Sequence, residues 1–595
     1  MQLVCQNCGA SLKFVDKTHE VCPYCGQTFL IDESTGLVID FKIDYSDSVK
    51  TRKTIRGVKS TLILFFVVIL FEVIVLLAGN MSARKSEFTA SDQRTQVEEN
   101  GNLLRIFCKD IFGKEYEDIT EEEFSSIKYL KYNIESEGFE HYDVIYYSFT
   151  NYEECDSEEE FASTIERWSI DSMGVSWPSD FTMFTGLTRI EDKGNGGLMN
   201  QEYSKEAHIS YVETDTYLDA VSEKLCPADI KVLHIDNNVF PDSLDGMEAY
   251  VNLEELKIDI YPSTGDLDIT GIRSCSKLKT LYLDCGVISA GIEEIGTLQS
   301  LESLYLNGVN LSDFEFLSDL AELKELSVSI GENPDFTGLT NLHQLKKLIF
   351  LNEEMVAVSE IAKLESLTGL EELKIAAESE EVFALLVKLT NLKKLKLKFD
   401  VDFSMRIDEE VEPLDIGIFA TMEHLESFCF LTDDASVIAG VDLLLNMPQL
   451  KALQVGEDYA GISFEASPIL LDPNILQDNP TLTKLCMANC QFVDSVTREQ
   501  IGCDFLWHYP SIRVLKLDCC GIDDISFVEN YQDLRLCSLR ENEISDFSPL
   551  QACRKLEEVD ICANPSEYHG LAEDVKVHNS YTDKIETDET TEYSD

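Results

Sequence analysis

Apolar residues recur along positions 230–565 in a six-residue pattern of the form LxxLxL, in which leucines alternate with polar residues. Alternation with a period of two predicts a short β-strand with one buried face. Fourteen copies follow one another at intervals of 22 to 33 residues, and they begin at Ile230, Leu253, Leu278, Leu301, Leu323, Leu345, Leu370, Leu392, Leu425, Leu450, Leu482, Ile512, Leu534 and Leu556. This spacing predicts a solenoid, in which each coil buries its apolar face against the next coil.

The residues around each hexad fit such a coil. Ahead of the hexads, a second apolar series with three-residue steps, such as Leu317, Leu320 and Leu323, predicts the convex side of the solenoid. Three positions past the last leucine the chain must turn, and several repeats carry a side chain that suits this turn: Asn238, Cys490, Cys520, Asn542 and Asn564.

With the sequence EISDFSPL at positions 543–550, the array resembles the bacterial leucine-rich repeats of 22 residues that internalins typify. The resemblance implies an α/β repeat fold, a right-handed leucine-rich repeat solenoid with a parallel β-sheet on its concave face. It also implies that the concave face binds ligands, usually proteins.

Strand residues that alternate with the buried leucines face the concave surface, so candidate binding residues follow from the hexads. The candidates are two tyrosines and a strip of four lysines: Tyr282, Tyr305, Lys374, Lys394, Lys396 and Lys398. Exposed aromatic side chains and a local inversion of charge favour contact with a protein partner. Ordinary solvated strand faces, on which the lysines offset acidic neighbours, are the alternative interpretation.

Residues 60–79 read STLILFFVVILFEVIVLLAG, which is an apolar run with one charged residue, Glu72. At about 1.5 Å per residue such a helix spans a hydrocarbon core of roughly 30 Å, so we predict a transmembrane helix. A cleaved signal peptide is the alternative, although the run starts far into the chain. Glu72 is either a tolerated protonated acid or a helix–helix contact through which the chain self-associates.

Basic residues crowd the amino side of this helix, at Lys50, Arg52, Lys53, Arg56 and Lys59. The positive-inside rule therefore places the N-terminus in the cytoplasm and the repeats outside it, in a single-pass protein of the cell membrane. The whole chain carries 48 basic and 110 acidic residues, a net charge of -62, and the deficit lies beyond the helix. Such a surface repels nucleic acid and favours cations or basic partners.

Two CxxCG motifs lie near the N-terminus, with Cys5 and Cys8 in the first and Cys22 and Cys25 in the second. Paired thiolates at this spacing can close a tetrahedral site around one zinc ion, and four protein ligands make that ion structural. The segment resembles the zinc ribbons that begin many bacterial membrane proteins. A rubredoxin-like iron or redox dithiols are the alternatives.

Six segments follow from these patterns. We predict a zinc ribbon, a basic juxtamembrane linker, a transmembrane helix, an acidic spacer or N-terminal cap with degenerate repeats, the leucine-rich repeats, and an acidic disordered tail, over residues 1–35, 36–59, 60–79, 80–229, 230–565 and 566–595. Within the spacer, Thr120 and Glu123 predict a capped helix start. The scattered cysteines are expected to be small buried hydrophobes, and the sequence leaves open whether individual pairs form disulfides.

No HExxH, GxSxG or phosphate-cradling glycine loop occurs, so we expect a non-enzymatic protein, although an enzyme within residues 81–229 stays open. The favoured function is a membrane protein that binds a protein, or another macromolecule, on the concave face. The alternative is a transmembrane signalling or scaffold component, which couples the repeats to the cytoplasmic zinc ribbon.

Overall fold

The computed structural model forms two units, Met1–Thr95 and Gln96–Asp595. In the second unit it describes residues 103–137, 140–155, 157–171, 180–193, 201–215, 218–236, 243–259, 266–400, 413–432, 436–456, 466–565, 570–571 and 575–578. In the first unit it describes the backbone of five short strands.

The five strands of the first unit form two small antiparallel sheets. Leu3–Val4 pairs with Ser11–Leu12, and Thr28–Ile31 pairs with both His19–Val21 and Val38–Asp40. The four cysteines of the CxxCG motifs, the linker, Glu72 and the predicted span at 60–79 lie outside the described residues. None of the helices that the structure does describe is long and apolar enough to cross a membrane.

A twenty-stranded sheet runs through the second unit. In spatial order its strands are Glu166–Asp171, Glu140–Ser148, Tyr129–Glu137, Arg189–Lys193, Tyr211–Thr214, Val232–Asp236, Glu255–Asp259, Thr280–Asp284, Ser303–Asp313, Glu325–Asp335, Lys347–Phe350, Glu372–Ala377, Lys394–Phe399, Ser427–Leu431, Ala452–Gly456, Lys484–Ala488, Val514–Lys516, Leu536–Ser538, Glu558–Asp560 and Lys576–His578. The first three strands pair antiparallel, and all later neighbours pair parallel. The parallel solenoid sheet expected from the hexads is thus confirmed.

Short helices and a second set of strands complete the coils. Among the described residues, the α-helices are Leu103–Phe112, Glu121–Ser126, Glu158–Ser163, Leu218–Lys224, Val358–Lys363, Glu381–Leu386 and Val441–Leu445. The 3-10 helices are Tyr116–Asp118, Tyr152–Glu154, Pro227–Asp229, Met247–Ala249, Thr270–Ser274, Ile292–Thr297, Glu315–Leu317, Phe336–Asn341, Leu364–Ser366, Ile416–Thr421, Cys503–His508, Ser526–Asn530 and Ser548–Ala552. Three small parallel sheets pair Asp180–Phe181 with Glu202–Tyr203, Asp266–Asp268 with Val287–Ala290, and Leu414–Asp415, Ile438–Ala439, Ser467–Leu471 and Cys490–Asp494 in succession.

The core lies between the large sheet and the short helices. Hexad leucines such as Leu301, Leu304 and Leu306 are buried, and so are the upstream series leucines such as Leu317. Every fully buried leucine adds roughly 1.5–3 kcal/mol of hydrophobic stabilisation. Ten of the fourteen cysteines of the described residues are buried, as expected for small hydrophobes.

The turn after a strand is held from inside the solenoid by an asparagine or a cysteine. The side chain of Asn542 makes five backbone hydrogen bonds: Nδ2 donates to the carbonyls of Leu517, Leu539 and Arg540, and Oδ1 accepts from the N–H groups of Cys520 and Ile522. In the coil before it, the Cys520 thiol donates to the Met487 carbonyl at 3.0 Å. The predicted role of this turn position is therefore confirmed for Cys520 and Asn542. The thiol donates a hydrogen bond to a backbone carbonyl, as the amide nitrogen of the asparagine does.

The parallel sheet extends beyond both ends of the hexad array. Upstream of Ile230, the strands Arg189–Lys193 and Tyr211–Thr214 continue it, and an antiparallel meander closes it. The predicted capping box is confirmed, because Thr120 and Glu123 each bond to the other's backbone N–H. At the carboxyl end, Lys576–His578 pairs with Glu558–Asp560, so the prediction of a disordered tail is wrong for these three residues. Three residues are too few to contain a hexad, so the sequence pattern does not predict this strand. Its pairing with Glu558–Asp560 is what assigns it to the sheet.

Candidate binding face on the concave sheet

In-register pairing aligns one position of each strand into a row across the concave sheet. Ten partly exposed side chains form what we call the central row, in the order His234, Lys257, Tyr282, Tyr305, Ser327, Ile349, Lys374, Lys396, Cys429 and Gln454. Neighbouring strands in a sheet lie about 4.8 Å apart, so adjacent members of the row can touch. In later coils the same position is buried at Cys486, Ser538, Asp560 and His578, whereas Lys516, between Cys486 and Ser538, is partly exposed. The accessible face therefore lies mainly in the amino and middle parts of the array.

The two predicted tyrosines are neighbours in the central row. Their rings stack face to face, with centroids 4.1 Å apart and planes 6° from parallel. On the amino side of the pair, Nζ of Lys257 lies 4.9 Å from the Tyr282 ring centroid. Burial raises the pKa of both phenols, and nearby carboxylates, among them Asp284, add to the increase. The pair is thus a neutral, rigid aromatic platform beside negative charge.

A row of acidic side chains runs beside this platform. Asp236, Asp259 and Asp284 pair in register, and Asn307 follows Asp284 on the next strand. Burial raises the pKa of Asp259, and the carboxylates of Asp284 and Asp236 add to the increase, against the opposing effect of Lys257. Like charges in register repel one another, so this acidic row favours a positively charged group in its vicinity.

A histidine lies between two glutamates at the amino end of the central row. The Nε2 atom of His234 is 2.7 Å from Oε1 of Glu255, and its Nδ1 atom is 3.8 Å from Oε2 of Glu213. Burial alone would lower the pKa of His234, but the hydrogen bonds with Glu213 and Glu255 outweigh it and raise the pKa. The same contact with His234, followed by that with Lys193, holds the pKa of Glu213 well below its usual range.

This cluster predicts a pH-dependent contribution to stability. A histidine with a raised pKa in the folded state stabilises the fold fully below its ordinary pKa of about 6.5, and this stabilisation is lost as the pH rises through the raised value. We expect His234→Gln to lower the free energy of unfolding more at pH 5.5 than at pH 8.5, as measured by urea denaturation. His208→Gln, at an exposed site, serves as the control with little effect at either pH. An equal loss for His234→Gln at both pH values would contradict the prediction.

The four predicted lysines occupy three different environments. Lys374 and Lys396 are adjacent in the central row, and Lys394 is exposed on the row beside it, in register with Glu372. Lys398 differs from the prediction of an open strip, because it is buried and its Nζ lies 3.8 Å from Oε2 of Glu353. The basic part of the face therefore includes Lys374, Lys394 and Lys396.

Several residues of the face escaped the sequence analysis. Glu213 was missed because its strand, Tyr211–Thr214, has no leucine hexad. The alternation Tyr211-Val212-Glu213-Thr214 is the signal that could have found it. His234 lies within the hexad that begins at Ile230, but its contacts with Glu213 and Glu255 depend on the pairing of three strands. Ser327 and Ile349 were missed because neither is charged or aromatic, although the register places them in the central row.

The described residues contain no group of three or more histidine, cysteine or carboxylate side chains that could hold a metal ion. The predicted zinc ligands Cys5, Cys8, Cys22 and Cys25 lie outside those residues. Along the sequence, however, each motif falls in the segment that joins two paired antiparallel strands.

A family model described as a leucine-rich repeat region matches residues 238–581, which is more than half of the chain. The chain belongs to the leucine-rich repeat family. Leucine-rich repeat domains typically bind proteins and are generally non-enzymatic. No curated protein matches the sequence.

Solved structures similar to this leucine-rich repeat protein include two from bacteria and one from a plant. An internalin of Listeria monocytogenes is 21% identical, with 57% of this chain and 83% of that chain covered and a TM-score of 0.36. A leucine-rich repeat protein of Leptospira interrogans is 14% identical, with 66% and 88% covered and a TM-score of 0.39. A plant peptide hormone receptor, in complex with the peptide RGF2, is 13% identical, with 64% of each chain covered and a TM-score of 0.32. None of these identities is high enough to carry a ligand over to this chain.

Proposed function

We propose that this leucine-rich repeat protein is a non-enzymatic, membrane-anchored binding protein whose concave face binds a protein ligand. The observation that carries the proposal is the central row, in which two stacked tyrosines and, further along, two adjacent lysines are partly exposed. Aromatic anchors dominate the energetics of protein interfaces, and charged groups around them set specificity and the association rate. A ligand that spans the row would contact the aromatic platform and, three strands beyond Tyr305, the lysines.

The anchor and its orientation belong to the same proposal. The apolar run at 60–79, with Glu72 as its one charge, supports a single membrane-spanning helix. The basic residues before it support a cytoplasmic N-terminus and an extracytoplasmic solenoid. The net charge of -62 also suits a solvent-exposed domain that does not adhere to anionic lipid or nucleic acid.

We propose in addition that Cys5, Cys8, Cys22 and Cys25 hold one structural zinc ion in a small cytoplasmic ribbon. The chemistry of the donor set supports this, because thiolates are favoured zinc ligands and four of them leave no open position for catalysis. The two antiparallel strand pairs support it as well, because each motif lies in the sequence between the two strands of a pair. The ion would fold the N-terminal module, which has few apolar residues of its own.

The basic part of the concave face provides the test of ligand binding. Full-length protein in detergent would serve as bait for cell-envelope and host-cell proteins, and captured partners would be titrated. We expect the double substitution Lys394→Glu with Lys396→Glu to weaken capture at least about tenfold, because it places two negative charges where an acidic partner surface would dock.

The matched control is Lys388→Glu with Lys555→Glu, which makes the same change of charge outside the sheet. Both control lysines are exposed and pair with single carboxylates, Glu365 and Asp533. We expect this control to bind as the wild type does. Equal loss of capture in both variants would mean that net charge, and not the concave face, governs binding.

A further inference from the structure

The stacked tyrosines are covered unequally on their two outer faces. On its amino side, Tyr282 faces the ammonium group of Lys257 at 4.9 Å, and on its other side it faces Tyr305. The second face of Tyr305 points towards the next strand, whose central-row residue is Ser327. Among the described residues, no aromatic ring or cation stacks on this second face. The stack therefore ends beside the smallest side chain of the central row.

Beyond Ser327, the next member of the row is Ile349, which is partly exposed. We call the opening between Tyr305 and Ile349, with Ser327 at its floor, the stacking slot. Because strands lie about 4.8 Å apart, the two walls are separated by roughly 9.6 Å at the backbone. One flat group stacked on Tyr305 would lie above Ser327 and contact Ile349. The slot thus has room for a single planar side chain.

Acidic side chains lie at the Tyr305 side of the stacking slot. Glu325 is exposed on the same strand as Ser327, and its Oε2 atom lies 3.5 Å from Oγ of Ser303, on the Tyr305 side. The acidic row adds Asp284 and Asp259 beside the tyrosines. Two lysines lie on the far side of the slot: Lys347 is in register with Glu325, and Lys374 lies beyond Ile349. A cation over a tyrosine face is attracted by the ring quadrupole, and Lys257 already occupies the equivalent place at the other end of the stack.

We infer that the stacking slot receives an arginine side chain of the protein ligand. This inference rests on the proposed function and specifies the chemistry of its partner. A guanidinium group is both planar and charged, so it can stack on Tyr305 and pair with Glu325 at once. Lysine lacks the plane, and an aromatic side chain lacks the charge. The partner is therefore a protein that presents an exposed arginine to the concave face.

Fluorescein-labelled hexa-arginine is a suitable probe, with hexacitrulline as its neutral planar counterpart and hexalysine as its non-planar cation. Binding to the full-length protein would be followed by fluorescence anisotropy at physiological salt. We expect hexa-arginine to bind at least about fivefold more tightly than either counterpart, since only guanidinium meets both requirements. Equal affinity for hexalysine, or tighter binding of a hexatyrosine peptide, would overturn the inference.

Two substitutions test the location of the site. Ser327→Arg supplies a guanidinium from within the chain, and we expect it to weaken hexa-arginine binding about tenfold. Tyr305→Leu removes the stacking face and should weaken binding about fivefold, whereas Tyr305→Phe should stay within about twofold of the wild type. The control is Gln454→Arg, which adds the same charge to the central row at a distance from the slot. Equal weakening by Ser327→Arg and Gln454→Arg, or none by Tyr305→Leu, would overturn the assignment.

The same variants separate this inference from the proposed function. If a captured protein partner binds Ser327→Arg and Tyr305→Leu as it binds the wild type, the partner uses the concave face without the slot, and only the inference fails. If no protein partner is captured but the slot variants lose hexa-arginine, the slot stands and the proposed function fails. Circular dichroism of each variant would confirm that the solenoid is folded.

Discussion

Asn542→Ala is expected to lower the free energy of unfolding of the last coils by about 3 kcal/mol. The substitution removes five hydrogen bonds to the backbone of consecutive coils, and Asn542 is buried, so water cannot replace them freely. Each buried polar group left without a partner costs about 1–3 kcal/mol, and partial relaxation of the turn recovers some of the total. Urea denaturation followed by far-ultraviolet circular dichroism would measure the loss.

Two variants make this result specific to the turn position. Asn542→Cys should cost about half as much, because a thiol can donate to a carbonyl as that of Cys520 does but cannot accept from two N–H groups. Asn530→Ala removes one hydrogen bond, to the Trp507 carbonyl at an exposed site, and should cost no more than about 0.5 kcal/mol. If Asn542→Ala cost no more than Asn530→Ala, the asparagine would not stabilise the turn.

The periodic parts of this fold could be predicted because each coil repeats the same local solution. A strand needs leucines at alternate positions, and a buried turn needs a side chain that can bond to the backbone. Leu304, Leu306 and Asn542 follow from these needs without any knowledge of distant residues. The solenoid then requires no long-range pairing beyond adjacent coils, which explains why the sequence is sufficient to predict it.

The candidate site could be predicted only in part, because it depends on contacts between coils. The alternation places Tyr282 and Tyr305 on the concave face, but their stacking at 4.1 Å requires the register of two strands 23 residues apart. Lys398 follows the same alternating pattern as Lys396 in the sequence. In the structure, however, Lys398 is buried and contacts Glu353 from an earlier coil. Side-chain neighbours across a sheet are set by register, and register is set by the lengths of the intervening turns.

The arrangement of charge along the concave face also depends on register. Three aspartates fall into one row because the strands from Val232 to Asp284 pair without a shift. The lysine pair Lys374 and Lys396 arises in the same way further along the sheet. The face therefore has an acidic, aromatic amino part and a basic middle part, and a ligand with complementary charges would bind in one orientation only.

The second large effect is expected at the N-terminal motifs, where Cys22→Ser with Cys25→Ser should abolish zinc binding. Structural zinc sites contribute apparent free energies of about 10–16 kcal/mol to the folding of small domains, far more than one hydrogen bond or one apolar side chain. Removing one of the two thiol pairs leaves two protein ligands, too few to hold the ion. Elemental analysis of the purified full-length protein should give about one zinc ion per chain for the wild type and none for the variant.

Cys155→Ser with Cys226→Ser is the matched control, because it also replaces two cysteines, one partly exposed and one exposed, outside the motifs. This variant should keep one zinc ion per chain. An iron content of about one per chain would mean that the four thiolates hold a rubredoxin-like iron centre and not zinc, since iron uses the same four-thiolate geometry. A metal-free wild type with the four thiols oxidised would instead favour the dithiol alternative and remove the structural ion from the proposed function. Because the motifs and the repeats form separate units of the chain, any of these outcomes leaves the concave-face tests unaffected.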